Sequence, residues 1–155
     1  MAEVTAISKR VREHWLAQGL RVSSVEAEAL AELKRSRPEG IPEAYETFLR
    51  TAGLPHDEDG NGFRFWRLRE VRATTDVLRD AGYASDAVEP SVIIADYFQE
   101  SWWYGLWVAG PLAGHVSIVL GHERGKDPQA PLGTFVDFLR AYLSDDARLY
   151  PESKW

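Results

Sequence analysis

The sequence predicts an α+β domain in the order ααα-β-α-βββ-α, with a mostly antiparallel sheet and helices packed on it. Three observations predict it. A stretch between Gly40 and Gly53 carries both the start and the stop signals of a helix. Three β-rich runs follow between residues 91 and 120, joined by short connections that permit an antiparallel meander. A capping-box pattern then opens an amphipathic helix from Thr134 to Leu143.

Val4, Ile7, Val11 and Trp15 recur at spacings of three and four, which predicts a first helix from Val4 to Gln18, ended by Gly19. Ser23 and Glu26 match a capping box and predict a short second helix reaching about Lys34, before Pro38. The third helix opens at Ile41-Pro42, because proline suits the first helical position and has no N–H to leave unpaired. Ile41, Tyr45, Phe48, Leu49 and Ala52 share one face, and Gly53 with Leu54-Pro55 closes it. Phe63 to Leu68 alternates aromatic and charged residues and predicts a strand. Val71, Thr74 and Leu78 restore helical spacing from Glu70 to Ala81, and Gly82 stops it.

Ser91–Tyr97, Trp102–Ala109 and His115–Leu120 are the meander strands, with Pro111 and Gly114 suited to the last turn. Thr134 and Asp137 form the closing capping box. Phe135, Phe138, Leu139, Tyr142 and Leu143 are the buried stripe behind it. Nothing repeats and no linker interrupts the pattern. The chain reads as a single domain, 1–155, whose residues 146–155 are a loosely held tail.

A chain of 155 residues with 45% hydrophobic content and six each of Trp, Tyr and Phe can build a full core without staples. It has no cysteine, which excludes disulfides, thiolate zinc sites and cysteine nucleophiles. No apolar leader follows Met1, and the uncharged stretch over residues 101–114 is broken by glycines and a proline. The expectation is a soluble cytoplasmic protein that does not enter a membrane. Net charge is −6, and residues 56–100 hold 10 acidic against 5 basic side chains. Such a surface repels nucleic acid and draws basic partners, and it also serves ordinary solubility.

Few residues carry a chemical signal. Asp57, Asp59, Asn61 and Gly62 fit the first half of a calcium loop, but the twelfth position is Leu68 where a bidentate glutamate is required. A polar turn is the better reading. The run from Gly121 to Asp127 has three residues between its glycines where a phosphate loop needs four, and it reads as a connecting loop. His14, His56, His115 and His122 share no ligand spacing, so no metal site is expected, and no cofactor motif is present. A Ser–His–Asp set assembled in space lacks the Gly-x-Ser-x-Gly elbow that would support it.

The run Trp102-Trp103-Tyr104-Gly105-Leu106-Trp107 is the most pointed local feature. On a strand, Trp102, Tyr104 and Leu106 face one way, and Trp103 and Trp107 face the other across Gly105. If one set lines the core, the other presents two tryptophans, the residue type that most often anchors interfaces. The alternative is that helices cover both faces. Asp96 and Glu100 lie beside these strands. With Trp103 and Trp107 they make a candidate aromatic-acidic patch for a basic partner.

The pattern Ile41-Pro42, Tyr45, Phe48-Leu49, then Asn61-Gly62, Val92 to Ala95 with Tyr97-Phe98, and Thr134-Phe135, Phe138-Leu139, Tyr142-Leu143 resembles the SUKH superfamily. That superfamily includes many bacterial immunity proteins and a fungal regulator of cell-wall synthesis. The stretch from Leu54 to Gly60 and the doubled Trp102-Trp103 depart from its pattern. The resemblance implies a SUKH-like fold over nearly the whole chain and no catalytic residues or cofactor. It implies a non-enzymatic protein that binds a cognate toxin, a basic nuclease among the candidates, and blocks it by steric occlusion. A regulatory adaptor on the same fold is the alternative. A hydrolase or metal enzyme with a dispersed site stands behind both.

Overall fold

The computed structural model describes residues 2–83, 90–121 and 130–151. Five α-helices and mostly antiparallel strands give the α+β class expected. Helix α1, Ala2–Ala17, buries Val4, Ile7, Val11 and Trp15 along one stripe. A two-residue strand β1, Val22–Ser23, follows, and then helix α2, Ala27–Ser36.

The Ser23–Glu26 capping box does not form. Glu26 occupies the cap position without a side-chain hydrogen bond, and Ser23 is extended four residues before the helix. The reason is a long-range pairing: β1 runs antiparallel to β2, Leu54–Pro55, with Ser23 opposite Leu54. Helix α3, Glu43–Ala52, starts one residue later than expected, with Pro42 in the cap position, and ends at Gly53 with φ +71°. A Cβ on Gly53 would lie 2.3 Å from the carbonyl oxygen of Ser23. Glycine is therefore fixed here by backbone conformation and by the close approach of β1.

The main sheet contains β3 (Phe63–Phe65), β4 (Arg72–Ala73), β5 (Ser91–Tyr97), β6 (Trp102–Trp107), β7 (His115–Val119) and β8 (Pro131–Thr134). Its order is β3-β5-β6-β7-β8, every pair antiparallel, and β4 pairs with β5 further along the side that β3 occupies. The strand expected over residues 63–68 ends at Phe65. The helix expected from Glu70 begins at Thr74 as α4, Thr74–Asp80, because Arg72 and Ala73 are held against Ile93 and Val92. A bulge at Ile94 lets Ile93 face Gly105 while Ala95 faces Tyr104.

The register sorts the sheet into two faces. Phe63, Phe65, Tyr104, Leu106 and Val116 point to one side, where α1, α3 and α5 (Phe135–Ser144) pack. Phe63 lies 4.8 Å from both Tyr104 and Tyr142, and Phe65 lies 5.2 Å from Trp15. Those rings meet edge-on or tilted, the arrangement aromatic quadrupoles prefer, save for the stacked Phe63–Tyr104 pair. Helix α5 opens on the expected capping box: Thr134 Oγ1 accepts from the Asp137 N–H and Asp137 Oδ2 accepts from the Thr134 N–H.

The opposite face carries Ser91, Ile93, Asp96, Trp103, Gly105, Trp107, Ser117 and Val119. Helix α4 closes over part of it. The Thr74 hydroxyl meets that of Ser91 at 2.8 Å and stands over Gly105, where an added Cβ would lie 3.5 Å away.

The loosely held tail is corrected for its first residues. Ala147–Leu149 forms a 3₁₀ turn, Leu149 is fully buried, and its carbonyl accepts from the Tyr104 hydroxyl at 2.7 Å. Residues 152–155 lie outside the described residues, as do His122 and the rest of the expected 122–127 loop.

Candidate partner-binding surface

Of the four residues expected to meet a partner, the structure leaves one fully at the surface. Trp103 is 3% exposed: its ring meets Tyr83 edge-on at 6.4 Å, and Gly121 packs against it. Trp107 is half-buried, its indole N–H donating to Ser117 Oγ on β7 at 3.0 Å. The alternative, a covered second face, thus holds at Trp103, and the exposed pair of tryptophans does not form. Tyr83, just beyond α4, supplies the cover over Trp103 that strand alternation cannot foresee.

Asp96 is 1% exposed and serves as the buried knot of a part-buried ion-pair network. Its Oδ2 accepts from the Trp66 indole at 2.6 Å and from Arg64 Nε at 3.0 Å and Nη2 at 2.9 Å. Its Oδ1 accepts from the Glu100 N–H at 3.1 Å. Burial pushes the Asp96 carboxyl above its ordinary range, against the opposite pull of the Trp66 N–H and the Arg64 charge. Arg64 Nη1 donates to Glu70 as well. Asp96 is therefore corrected from partner contact to internal support.

Glu100 remains exposed, and Trp103 Nε1 donates to its Oε1 at 3.0 Å. Asp96, Glu100 and Trp103 thus do come together, as one hydrogen-bonded cluster at the root of the β5–β6 hairpin. Trp107 stands apart from them, four residues along the strand.

The hairpin tip is where the surface becomes unusual. Phe98, Gln99 and Glu100 have φ of 47°, 55° and 62°, three consecutive non-glycine residues in the left-handed region. Each such residue is unfavourable by about 1–2 kcal/mol, so the surrounding contacts must hold the turn. They do so from below. The Phe98 N–H donates to Gly62 O at 2.8 Å, the Ser101 hydroxyl donates to Phe98 O at 2.8 Å, and Asp96 holds the Glu100 N–H.

The Phe98 ring leans over Gly62, whose φ is +87° and whose added Cβ would lie 3.3 Å from the ring. Even so, Phe98 is 61% exposed, the most exposed large apolar side chain among the described residues. The turn beneath it carries exposed Asp57 and Glu58, neither paired with a basic side chain among the described residues. On the other flank Tyr97 stacks on Trp102 at 4.6 Å and meets Tyr150 at 5.1 Å, and the Tyr150 hydroxyl donates to Asp145.

No family model, curated protein or solved structure matches the chain. The reading therefore rests on the geometry of its residues.

Asp59, the centre of the calcium-loop half-motif, has its carboxylate engaged inside the fold. Oδ1 accepts from the N–H groups of Asn61 and Phe63, and Oδ2 from the Tyr142 hydroxyl at 2.5 Å. The segment is the polar turn expected, and it exits into β3. Among the described residues no three His, Asp or Glu side chains are grouped to hold a metal ion. A hydroxyl and a histidine meet at Ser23 Oγ and His56 Nε2, yet no carboxylate is hydrogen-bonded to His56 among the described residues. No described helix is long and apolar enough to cross a membrane.

Phe98 was missed at the outset, although one signal was available. It is an aromatic residue in a four-residue connection otherwise made of Gln, Glu and Ser, between two strands that already have their own aromatic residues.

Proposed function

We propose that this chain is a non-enzymatic protein-binding domain of the immunity type, which neutralises a cognate toxin by covering it. The observation that supports this reading is Phe98, an exposed aromatic side chain held on a strained tip, with exposed Glu100 on the same tip and exposed Asp57 and Glu58 on the turn whose Gly62 the ring covers. A rigid aromatic anchor within an acidic rim suits a basic protein surface. Burial of the ring supplies affinity, while the rim steers approach and rejects acidic competitors. Preorganisation matters as well, since a tip already fixed loses little freedom on docking. A nuclease is a fitting target class, because a protein that holds phosphates presents cationic side chains around its site. The resemblance to SUKH immunity proteins points the same way.

Co-expression with the product of the neighbouring gene tests the proposal. Rescue from growth arrest together with co-purification supports it, and both should be lost in Phe98→Ala and Phe98→Glu while thermal unfolding stays at the wild-type temperature. A stable complex that gives no rescue favours the regulatory adaptor. Neither rescue nor complex would sink the immunity reading.

A further inference from the structure

A second surface lies apart from the hairpin tip and has the opposite chemistry. An open cleft of about 670 Å³ lies between β1, β2, the start of α2 and the turn that follows β3. That volume is in the range of small-molecule sites. Its lining combines apolar side chains, Val25, Leu54 and Leu68, with the hydroxyls of Ser23 and Ser24, His56, and three arginines against two glutamates, Glu26 and Glu70. In a chain of net charge −6 this is a local concentration of donors.

The arginines are not equivalent. Arg64 is consumed by Asp96 and Glu70, and Glu70 is in turn occupied by Arg64 and by the Arg67 N–H. Arg64 balances only one of those two carboxylates, and its guanidinium is not free for a ligand. Arg67 donates one bond to the His56 carbonyl at 3.3 Å and pairs with no carboxylate among the described residues. Arg69 has a single long pairing, 3.9 Å to Glu26, between two side chains that are both mostly exposed. A contact of that kind is worth little and exchanges readily. The cleft thus offers one unpaired guanidinium, one loosely paired guanidinium, and the Ser23–His56 pair, all beside an apolar floor.

We propose that this cleft binds a small organic oxoanion, a phosphate or carboxylate head group carried on a compact apolar body. Arg67 is the principal head-group ligand, because a guanidinium presents parallel N–H donors matched to two oxygens. His56, Ser23 and Ser24 supply further polar contacts, and Val25, Leu54 and Leu68 receive the apolar portion. The proposal uses neither Phe98 nor toxin binding, while Arg64 ties the cleft wall to Asp96 and so to the base of the tip.

Phenyl phosphate and phenylacetate are suitable probes for the full chain, with inorganic phosphate and benzyl alcohol as controls, followed by two-dimensional ¹H–¹⁵N NMR. Saturable shifts are expected at residues 23–26, 54–56 and 67–70 and at the Arg67 Nε–H signal. Inorganic phosphate and benzyl alcohol should each bind at least about tenfold more weakly than the better probe. Arg67→Gln should weaken that probe at least about tenfold while leaving the rest of the spectrum in place. Ser24→Ala is a second, milder variant that leaves every observed hydrogen bond intact, and it should weaken binding less. Shifts that fail to saturate by about 10 mM, or that spread over the whole surface, would overturn the proposal. So would undiminished binding in Arg67→Gln, or equal affinity for inorganic phosphate, which would remove the apolar floor from the site.

Discussion

The indole N–H of Trp15 donates to the hydroxyl of Tyr142 at 2.9 Å, joining the first helix to the last across 127 residues of sequence. That hydroxyl donates onward to Asp59, whose other oxygen organises the turn under Phe98. A single buried oxygen therefore ties two helices to the base of the proposed binding surface. Burial and the neighbouring carboxylate both raise the Tyr142 phenol far above its ordinary range, which keeps it a donor at neutral pH.

Tyr142→Phe keeps the ring contacts and removes only this oxygen. The Trp15 N–H and one carboxylate oxygen of Asp59 then lose their partners inside the protein. A loss of about 2–3 kcal/mol is expected in urea unfolding, with the slope of the transition unchanged. A loss under about 0.5 kcal/mol would show that the connection is dispensable.

Trp103→Ala tests the covered face of the sheet. Were Trp103 a surface anchor, its removal would leave the fold untouched. With 3% exposure and the rings and backbone of Tyr83 and Gly121 against it, the expected cost is about 3–5 kcal/mol, seen as a sharply lower unfolding midpoint.

Gln99→Gly should do the reverse. Gln99 has φ 55° and its side chain is exposed, so glycine relieves the backbone without deleting an internal contact. The relief exceeds the entropy that glycine adds to the unfolded chain, giving a gain of about 0.5–1 kcal/mol. The more mobile tip should also release a bound partner faster, measurable as an increased dissociation rate.

The capping box supplies a pH-dependent prediction. Bonds from the Thr134 backbone and hydroxyl hold the Asp137 carboxyl below its ordinary range. Its folded value is thus lower than its unfolded value of about 3.9. Its contribution is therefore complete above that unfolded value and disappears as pH falls through the folded one. Asp137→Asn should be less stable than wild type by under about 1 kcal/mol at neutral pH, a modest figure because the side chain is nearly half exposed. The two proteins should converge as acid titration passes below the carboxylate range. A gap that persists unchanged at low pH would assign the effect to packing.

Much of the fold was legible because its signals are local. Pro42 and Gly53 bound a helix, Thr134 and Asp137 open another, and strand parity correctly separated Trp102, Tyr104 and Leu106 from Trp103 and Trp107. Parity states which residues share a face and says nothing of what covers it, so the docking of α4 and Tyr83 on the Trp103 face is visible only in the structure. β1, β2 and β4 have two residues each, too few to show a period, and Ser23 pairs with Leu54 because of contacts far away in sequence. Asp96 looked like a surface acid, since its partner Arg64 sits opposite it only once β3 and β5 are in register. The backbone conformation of the tip was illegible for a different reason: Phe, Gln and Glu all normally avoid the left-handed region, and only the assembled contacts force them there.

The bond from the Tyr104 hydroxyl to the Leu149 carbonyl has a consequence for biosynthesis. The centre of the sheet is completed by a turn that is made after every other described element of the fold. A nascent chain stalled before that point leaves the Tyr104 hydroxyl without its acceptor and that part of the sheet open, and is a ready substrate for chaperones and proteases.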